Sequence, residues 1–407
     1  AGTRTGVIPY PYLNTRVHTA RLHSFYLHTM RIPKTSDILG IINKIAPTSL
    51  AEAWDNPGLQ VGDPGADVTR IMVALDPTPD VINSAITSSC QLLVTHHPLI
   101  FKPLKSISFA NPLGRSIHTA ISAGLSVLCM HTNYDSANGG LNDLLARKIG
   151  LSGCSPLQIT TVRELVKLVV FVPASHLEKV RNALFPHLPA QGNYRDCSFA
   201  AGGEGTFLPL DGARPFIGTV GKQEKVSEER LELLVERQNL PRALKALFAS
   251  HPYEEPAYDL YPLLNEGEKL GLGRVGRLSN PLSLGEYVEQ IRESLSAPGL
   301  RYVGEPSATV SKIALCSGSG ASLLRDAVRA GADVLVTGDI KYHDARDAQD
   351  LGIALIDAGH FKSEIIMVEE ITGRLSRALE EIGFQGCQVL PCRMESDPFR
   401  ILTEPVK

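Results

Sequence analysis

One stretch of this chain occurs twice. Arg70–Leu75, Pro79–Ser89 and Leu92–Thr95 read as strand, helix and strand. Lys312–Cys316, Ser322–Ala330 and Val334–Thr337 repeat that order without a gap at an offset of 242 residues, with Leu93-Val94-Thr95 falling on Leu335-Val336-Thr337. Each copy continues into a further helix and strand (Ser126–Cys129; Ile353–Ile356), then a polar loop and another helix. Short apolar strands alternating with helices predict a largely parallel, helix-covered sheet. The expected fold class is α/β, with two similar halves forming one mostly parallel sheet domain. Such sheets bind ligands beyond the carboxyl ends of their strands, so the polar residues after each strand are where chemistry is expected.

Between the copies the pattern changes. Leu165–Val172 reads as a strand and His176–Phe185 as a helix, followed by a Gly-rich hairpin region around Gly202–Gly205. A strand near Leu231–Val235, a helix over Arg242–Ala249 and a strand at Tyr258–Tyr261 complete an inserted ferredoxin-like α+β module. Pro- and Gly-rich flanks at Gly153–Pro156 and Gly271–Gly276 are natural boundaries. The expected division is an N-terminal extension over 1–36, a first half over 37–160, the module over 161–276 and a second half over 277–407. A chain of 407 residues has room for these units at roughly 150 residues per domain. Ile38-Leu39, Ile41-Ile42 and Ile45, after a Ser36-Asp37 cap, predict the first helix.

Composition excludes several classes. Forty basic against 43 acidic side chains give a net charge of −3, without the basic excess of a nucleic-acid binder. No run of about 18 apolar residues occurs, so no membrane partner is expected. The seven cysteines contain no CxxC and mostly sit in apolar runs, which argues against a disulfide framework or thiolate zinc and for a reducing compartment. Residues 1–36 contain Arg4, Arg16, Arg21, Arg31 and Lys34 but no acidic residue, the composition of an organelle transit peptide or a disordered extension. The expected location is mitochondrial or another organelle, and cytoplasmic if translation starts at Met30.

Three strand ends carry candidate ligands. Thr95-His96-His97-Pro98 ends a buried strand. Adjacent histidines on extended backbone point to opposite sides, but two metals or a turn favoured by Pro98 would let both serve one site. Asp135 follows another strand, and His360 and Glu364 stand four apart where a helix begins, on one helical face. His96, His97, Asp135, His360 and Glu364, without cysteine, suit zinc, iron or manganese. Five ligands exceed one tetrahedral ion and suit two divalent ions about 3.5–4 Å apart. Taken singly, His131 reads as an ordinary hydrogen-bonded loop residue. Asp339 occupies the His97 position in the repeat, and Asp339 and His343 are candidates for orienting a ligand or transferring protons. Gly318-Ser319-Gly320 lacks the third glycine of a dinucleotide loop and reads as a tight turn, whose amides could still receive an anion. Trp54–Gly58 reads as a structural turn, and His251–Pro256 as a loop with an aromatic anchor.

Several motifs in order resemble one family. Trp54–Gly62 (WDNPGLQVG), Thr95–Phe101 (THHPLIF), His131–Asp135 (HTNYD) and Gly139–Asn142 (GGLN) resemble the N-terminal half of the NGG-one-interacting-factor-three-like family. Gly331–Asp339 and Asp357–Glu364 resemble its C-terminal half, and Gly218–Gly221 with His251–Pro256 resembles the CutA-like middle domain of its longer members. The resemblance implies a dinuclear metal site whose ligands fall on His96, His97, Asp135, His360 and Glu364. It also implies a ring-shaped homohexamer with sites facing an inner cavity. Members are often labelled GTP cyclohydrolase I type 2 homologues.

The function expected from residues and resemblance together is a dinuclear-metal-dependent hydrolase acting on a small, nucleotide-like substrate. In its cyclohydrolase form, water activated by metal attacks purine C8 and opens the imidazole ring. The competing expectation is a non-enzymatic metal-binding, regulatory or chaperone assembly whose middle module senses a metabolite.

Overall fold

The computed structural model describes Gly2 and residues 31–401, so most of the N-terminal segment that carries the organelle reading lies outside the described residues. The apolar runs become the strands of three sheets in a mixed α/β fold. In the first sheet Arg70–Ala74, Leu92–Thr95 and Ser126–Cys129 run parallel. Every residue of the last two strands is buried, as strands covered on both faces require. Gly58–Val61 adds antiparallel to Ser126–Cys129, and Gln388–Pro391, from the far end of the chain, adds parallel to Arg70–Ala74.

The second sheet holds Thr309–Leu315, Val334–Thr337 and Ala354–Asp357 in parallel, in the same sequential order. Arg301–Val303 borders Ala354–Asp357, while the long strands Lys269–Ser283 and Leu151–Val162 lie beyond Thr309–Leu315, all three antiparallel to their neighbours. The parallel strands thus fall in two sheets rather than the single sheet expected. The edges separate them: antiparallel strands border both sides of the three-stranded run in the second sheet, and in the first Gly58–Val61 borders one side while Gln388–Pro391 extends the parallel run at the other.

Residues between the two sheets form a third, antiparallel sheet with strands Leu165–Pro173, Ser198–Phe207, Glu224–Glu236 and Tyr258–Pro262. Helices Leu177–Leu184 and Leu240–Ser250 complete a βαββαβ order and bury Val180, Leu184, Ala243 and Leu247 against Leu168, Val170, Leu231 and Leu233. The chain enters and leaves this unit through Leu151–Val162 and Lys269–Ser283, which pair with each other.

Arg274, on the outgoing strand, is fully buried and fully satisfied. Its guanidinium donates to both carboxylate oxygens of Asp143 (2.7 and 2.8 Å) and to the carbonyls of Gly271, Gly273 and Ala137. It fastens the second sheet to helix Leu141–Lys148. The first helix spans Thr35–Ile45 and buries Ile38, Ile41 and Ile42, as its spacing predicts. It starts before the expected Ser36-Asp37 cap, and Asp37 acts from inside the first turn by accepting from the Lys34 amide at 2.8 Å. All seven cysteines are free. Among the described residues no helix is long and apolar enough to cross a membrane.

Candidate metal centre

The carboxyl ends of both parallel runs open onto one polar cluster. His96 and His97 follow Leu92–Thr95, and His131 and Asp135 follow Ser126–Cys129. His360 and Glu364 bound the short helix after Ala354–Asp357. Two adjacent histidines reach one place because the chain bends directly after the strand. The Thr95 hydroxyl donates to the His97 carbonyl at 2.8 Å, and the imidazole centroids of His96 and His97 are 5.1 Å apart with planes at 51°. Glu364 Oε1 lies 3.6 Å from His96 Nε2, and Glu364 Oε2 lies 3.1 Å from His97 Nε2 and 2.9 Å from His360 Nε2. Asp135 Oδ1 stands 3.8 Å from His96 Nε2, steadied by the Ser317 hydroxyl at 3.2 Å.

His131, which sequence reasoning left as a loop residue, belongs to the cluster. Donor atoms of His96, His97 and His131 lie within 4.8 Å of one another, as do those of His97, His360 and Glu364. The two triads share His97. A lone histidine in a sequence carries no such information; its place after the same strand as Asp135 was the available signal.

Each of the four imidazoles is anchored through Nδ1 to an oxygen. His96 Nδ1 faces the Met130 carbonyl at 2.9 Å, His97 faces Asp76 at 2.7 Å, His131 faces Asp55 at 2.8 Å and His360 faces Asp339 at 2.7 Å. A carbonyl or carboxylate can only accept, so Nδ1 carries the proton in all four rings. The neutral ring then presents its lone pair on Nε2, and these atoms converge. Asp55 and Asp76 were not singled out in the sequence. Asp76 follows Arg70–Ala74 at the same edge as the histidines, which is the signal that could have found it. The Asp339 carboxylate faces His360 Nδ1, and its backbone is held at a left-handed φ of 56° that Asp tolerates better than most residues. His343 is exposed, with its ring against Tyr342, and among the described residues makes no hydrogen bond to the cluster.

The donor set fits a metal. The buried His96 Nε2 and Glu364 Oε2 have no hydrogen-bond partner, although charged groups stand within 4 Å. Buried polar atoms left so are costly unless another group satisfies them. Around Glu364 there is no spare room: a Cβ on Gly318, whose φ is +59°, would lie 2.2 Å from Glu364 Oε1. The Gly318-Ser319-Gly320 turn therefore cradles the carboxylate, in keeping with its reading as a tight turn.

Without a cation the cluster is strongly polarised. Burial works against charge on His97, but the hydrogen bond to Asp76 and the nearby Glu364 carboxylate push its pKa up to about 10. The Glu364 carboxylate beside it raises His360 to about 9, with Asp339 adding to it. Burial would raise Asp55, yet the His131 and Thr132 hydrogen bonds bring it down to about 2. Burial lifts Asp135 above the usual carboxylate range, while the surrounding imidazoles hold Glu364 well below it against burial.

Comparison with known proteins places this geometry. Residues 33–398 match the profile of the Duf34/NIF3 (NGG1p interacting factor 3) family. The chain belongs to the NIF3 family. Its similarity extends to the "GTP cyclohydrolase 1 type 2 homolog" of Halalkalibacterium halodurans, 39% identical over 92% of this chain and 100% of the relative. The Bacillus subtilis protein of the same name is also 39% identical, over 90% of this chain and 98% of its own. A solved Bacillus cereus protein related to NIF3 superposes with a TM-score of 0.84 at 37% identity, covering 91% of this chain and all of the other.

A cavity of about 1030 Å³ opens elsewhere in this NIF3-family chain, in the unit between the two sheets, and is lined by Phe207, Phe216, Glu228 and Tyr253 among others. Neither donor triad contributes to it.

Proposed function

We propose that His96, His97, His131, Asp135, His360 and Glu364 hold two divalent transition-metal ions (zinc, iron or manganese), and that the protein is a hydrolase acting on a small nucleotide-like substrate. The observation carrying this reading is the set of four Nδ1-anchored imidazoles with convergent Nε2 atoms. Bound there, such ions would lower the pKa of coordinated water towards neutrality and polarise an electrophilic carbon or phosphorus. The chain's own residues prepare that chemistry. Glu364 offers one oxygen to His96 and the other to His97 and His360, so it would serve both donor sets. Asp55, Asp76 and Asp339 lock three rings in the ligating tautomer. Of the two candidates for proton transfer, Asp339 is the one bonded to a cluster imidazole, and its carboxylate is 46% exposed, so it stands between that ring and water. The name carried by the relatives favours hydrolytic opening of a purine imidazole ring as the reaction.

The assembly belongs to the same proposal: two similar halves, a ferredoxin-like insert resembling CutA, a homohexameric ring with inward-facing sites and an organellar address. The βαββαβ order of the antiparallel unit supports the insert.

The cavity in the middle unit favours a second reading, a non-enzymatic metal-binding or regulatory assembly that senses a metabolite there. Incubating metal-loaded protein with a nucleotide panel separates the two. Turnover abolished by His97→Ala supports the hydrolase; saturable binding without product supports the sensor.

A further inference from the structure

Beside the cluster stands an aromatic pair left open to solvent. Trp54, the chain's single tryptophan, is 58% exposed and Phe101 is 44% exposed. Their centroids are 5.7 Å apart with planes at 54°, so they do not stack on each other and their faces remain available. Trp54 lies 6.0 Å and Phe101 6.5 Å from the His131 ring, which is 5.1 Å from His96. Exposed aromatic area grouped beside convergent polar atoms marks a contact surface rather than a packing accident.

The pair is held in place from behind. The Asn56 side-chain amide donates to the Ile100 carbonyl at 2.6 Å, and Gln60 both accepts from the Ile100 amide (2.9 Å) and donates to its carbonyl (3.3 Å). These bonds clamp the Trp54 loop to the Phe101 loop. Asp55, the next residue after Trp54, holds His131. The loop that presents the indole is thus also the one that orients a cluster imidazole.

We propose that Trp54 and Phe101 form a stacking wall for a planar heterocycle of the nucleobase class, and that the edge of the bound ring faces the His131 side of the metal centre. The inference rests on the metal-centre reading and adds the surface that would hold the substrate's base. Stacking uses the π-face that every base possesses, so the wall selects planar rings over bare sugar phosphates without choosing among bases.

Because Trp54 is the sole indole, its fluorescence reports on this wall alone. Metal-loaded protein is titrated with GTP, guanosine and ribose 5-phosphate. GTP and guanosine are expected to quench the emission saturably, and ribose 5-phosphate is not. In calorimetry Trp54→Ala and Phe101→Ala should each weaken guanosine binding about tenfold while metal content stays at the wild-type level, and Trp54→Phe should restore most of the loss. Absence of quenching by GTP and guanosine, or emission already blue-shifted because a second copy covers Trp54, overturns the proposal. Quenching without product leaves the stacking wall standing and defeats the hydrolase reading. Turnover whose KM is unchanged in Trp54→Ala does the reverse.

Discussion

The Asp55 carboxylate accepts the Nδ1 proton of His131 at 2.8 Å across a sequence separation of 76 residues. The pair joins the Trp54–Gly58 turn to the histidine cluster and makes His131 its fourth ring. Asp55→Asn keeps the size but replaces a carboxylate by an amide that can present its own donor to Nδ1. Metal affinity should fall about 10–100-fold, the usual effect of losing such an orienting group. Chelator competition on the folded variant measures it, and an unchanged affinity would remove His131 from the site.

Metal uptake should release protons. In the metal-free protein His97 and His360 are raised to about 10 and 9, so both are protonated at neutral pH, whereas a ligating imidazole must be neutral. Apparent affinity should therefore climb with pH until those values are passed. Calorimetry of zinc binding in buffers of different ionisation enthalpy should report more than one proton released per chain near pH 7. The same two groups give the metal-free protein stability that is complete below the unfolded histidine value of about 6.5 and is lost as pH rises through about 9 and 10. Its melting temperature should drop over that window, while the loaded protein changes less.

Arg274 and Asp143 form a buried pair whose partner carbonyls are also satisfied. Arg274→Ala leaves the Asp143 carboxylate and three carbonyls without their donor, and should cost about 3–5 kcal/mol in denaturant unfolding. A loss under about 1 kcal/mol would mean that water replaces the guanidinium.

The parts of this site legible in the sequence were those fixed by position along a strand. His96, His97, Asp135, His360 and Glu364 each follow an apolar run, and the rule that α/β sites open at strand ends brought them together. Asp55 and Asp76 were not legible, because a carboxylate that orients a histidine is defined only by where the ring's second nitrogen points. The repeat revealed the parallel runs but not their separation. That depends on which strands take the edges, and Gln388–Pro391 reaches the first sheet from more than 250 residues beyond Ser126–Cys129.

Gly318→Ala tests the cradle without replacing any of the candidate ligands. The new methyl would sit 2.2 Å from Glu364 Oε1 at a φ of +59° that alanine disfavours. Metal retention should fall while circular dichroism shows the fold kept. Retention at the wild-type level would mean that Glu364 has room to move and still bind.

Elemental analysis of protein grown in metal-replete medium tests the central claim most directly. The wild type should carry close to two transition-metal ions per chain, as a two-metal site requires, and Glu364→Ala should lose most of them while remaining folded. Fully folded wild-type protein that emerges free of metal, or a Glu364→Ala variant that keeps its full complement, would contradict it.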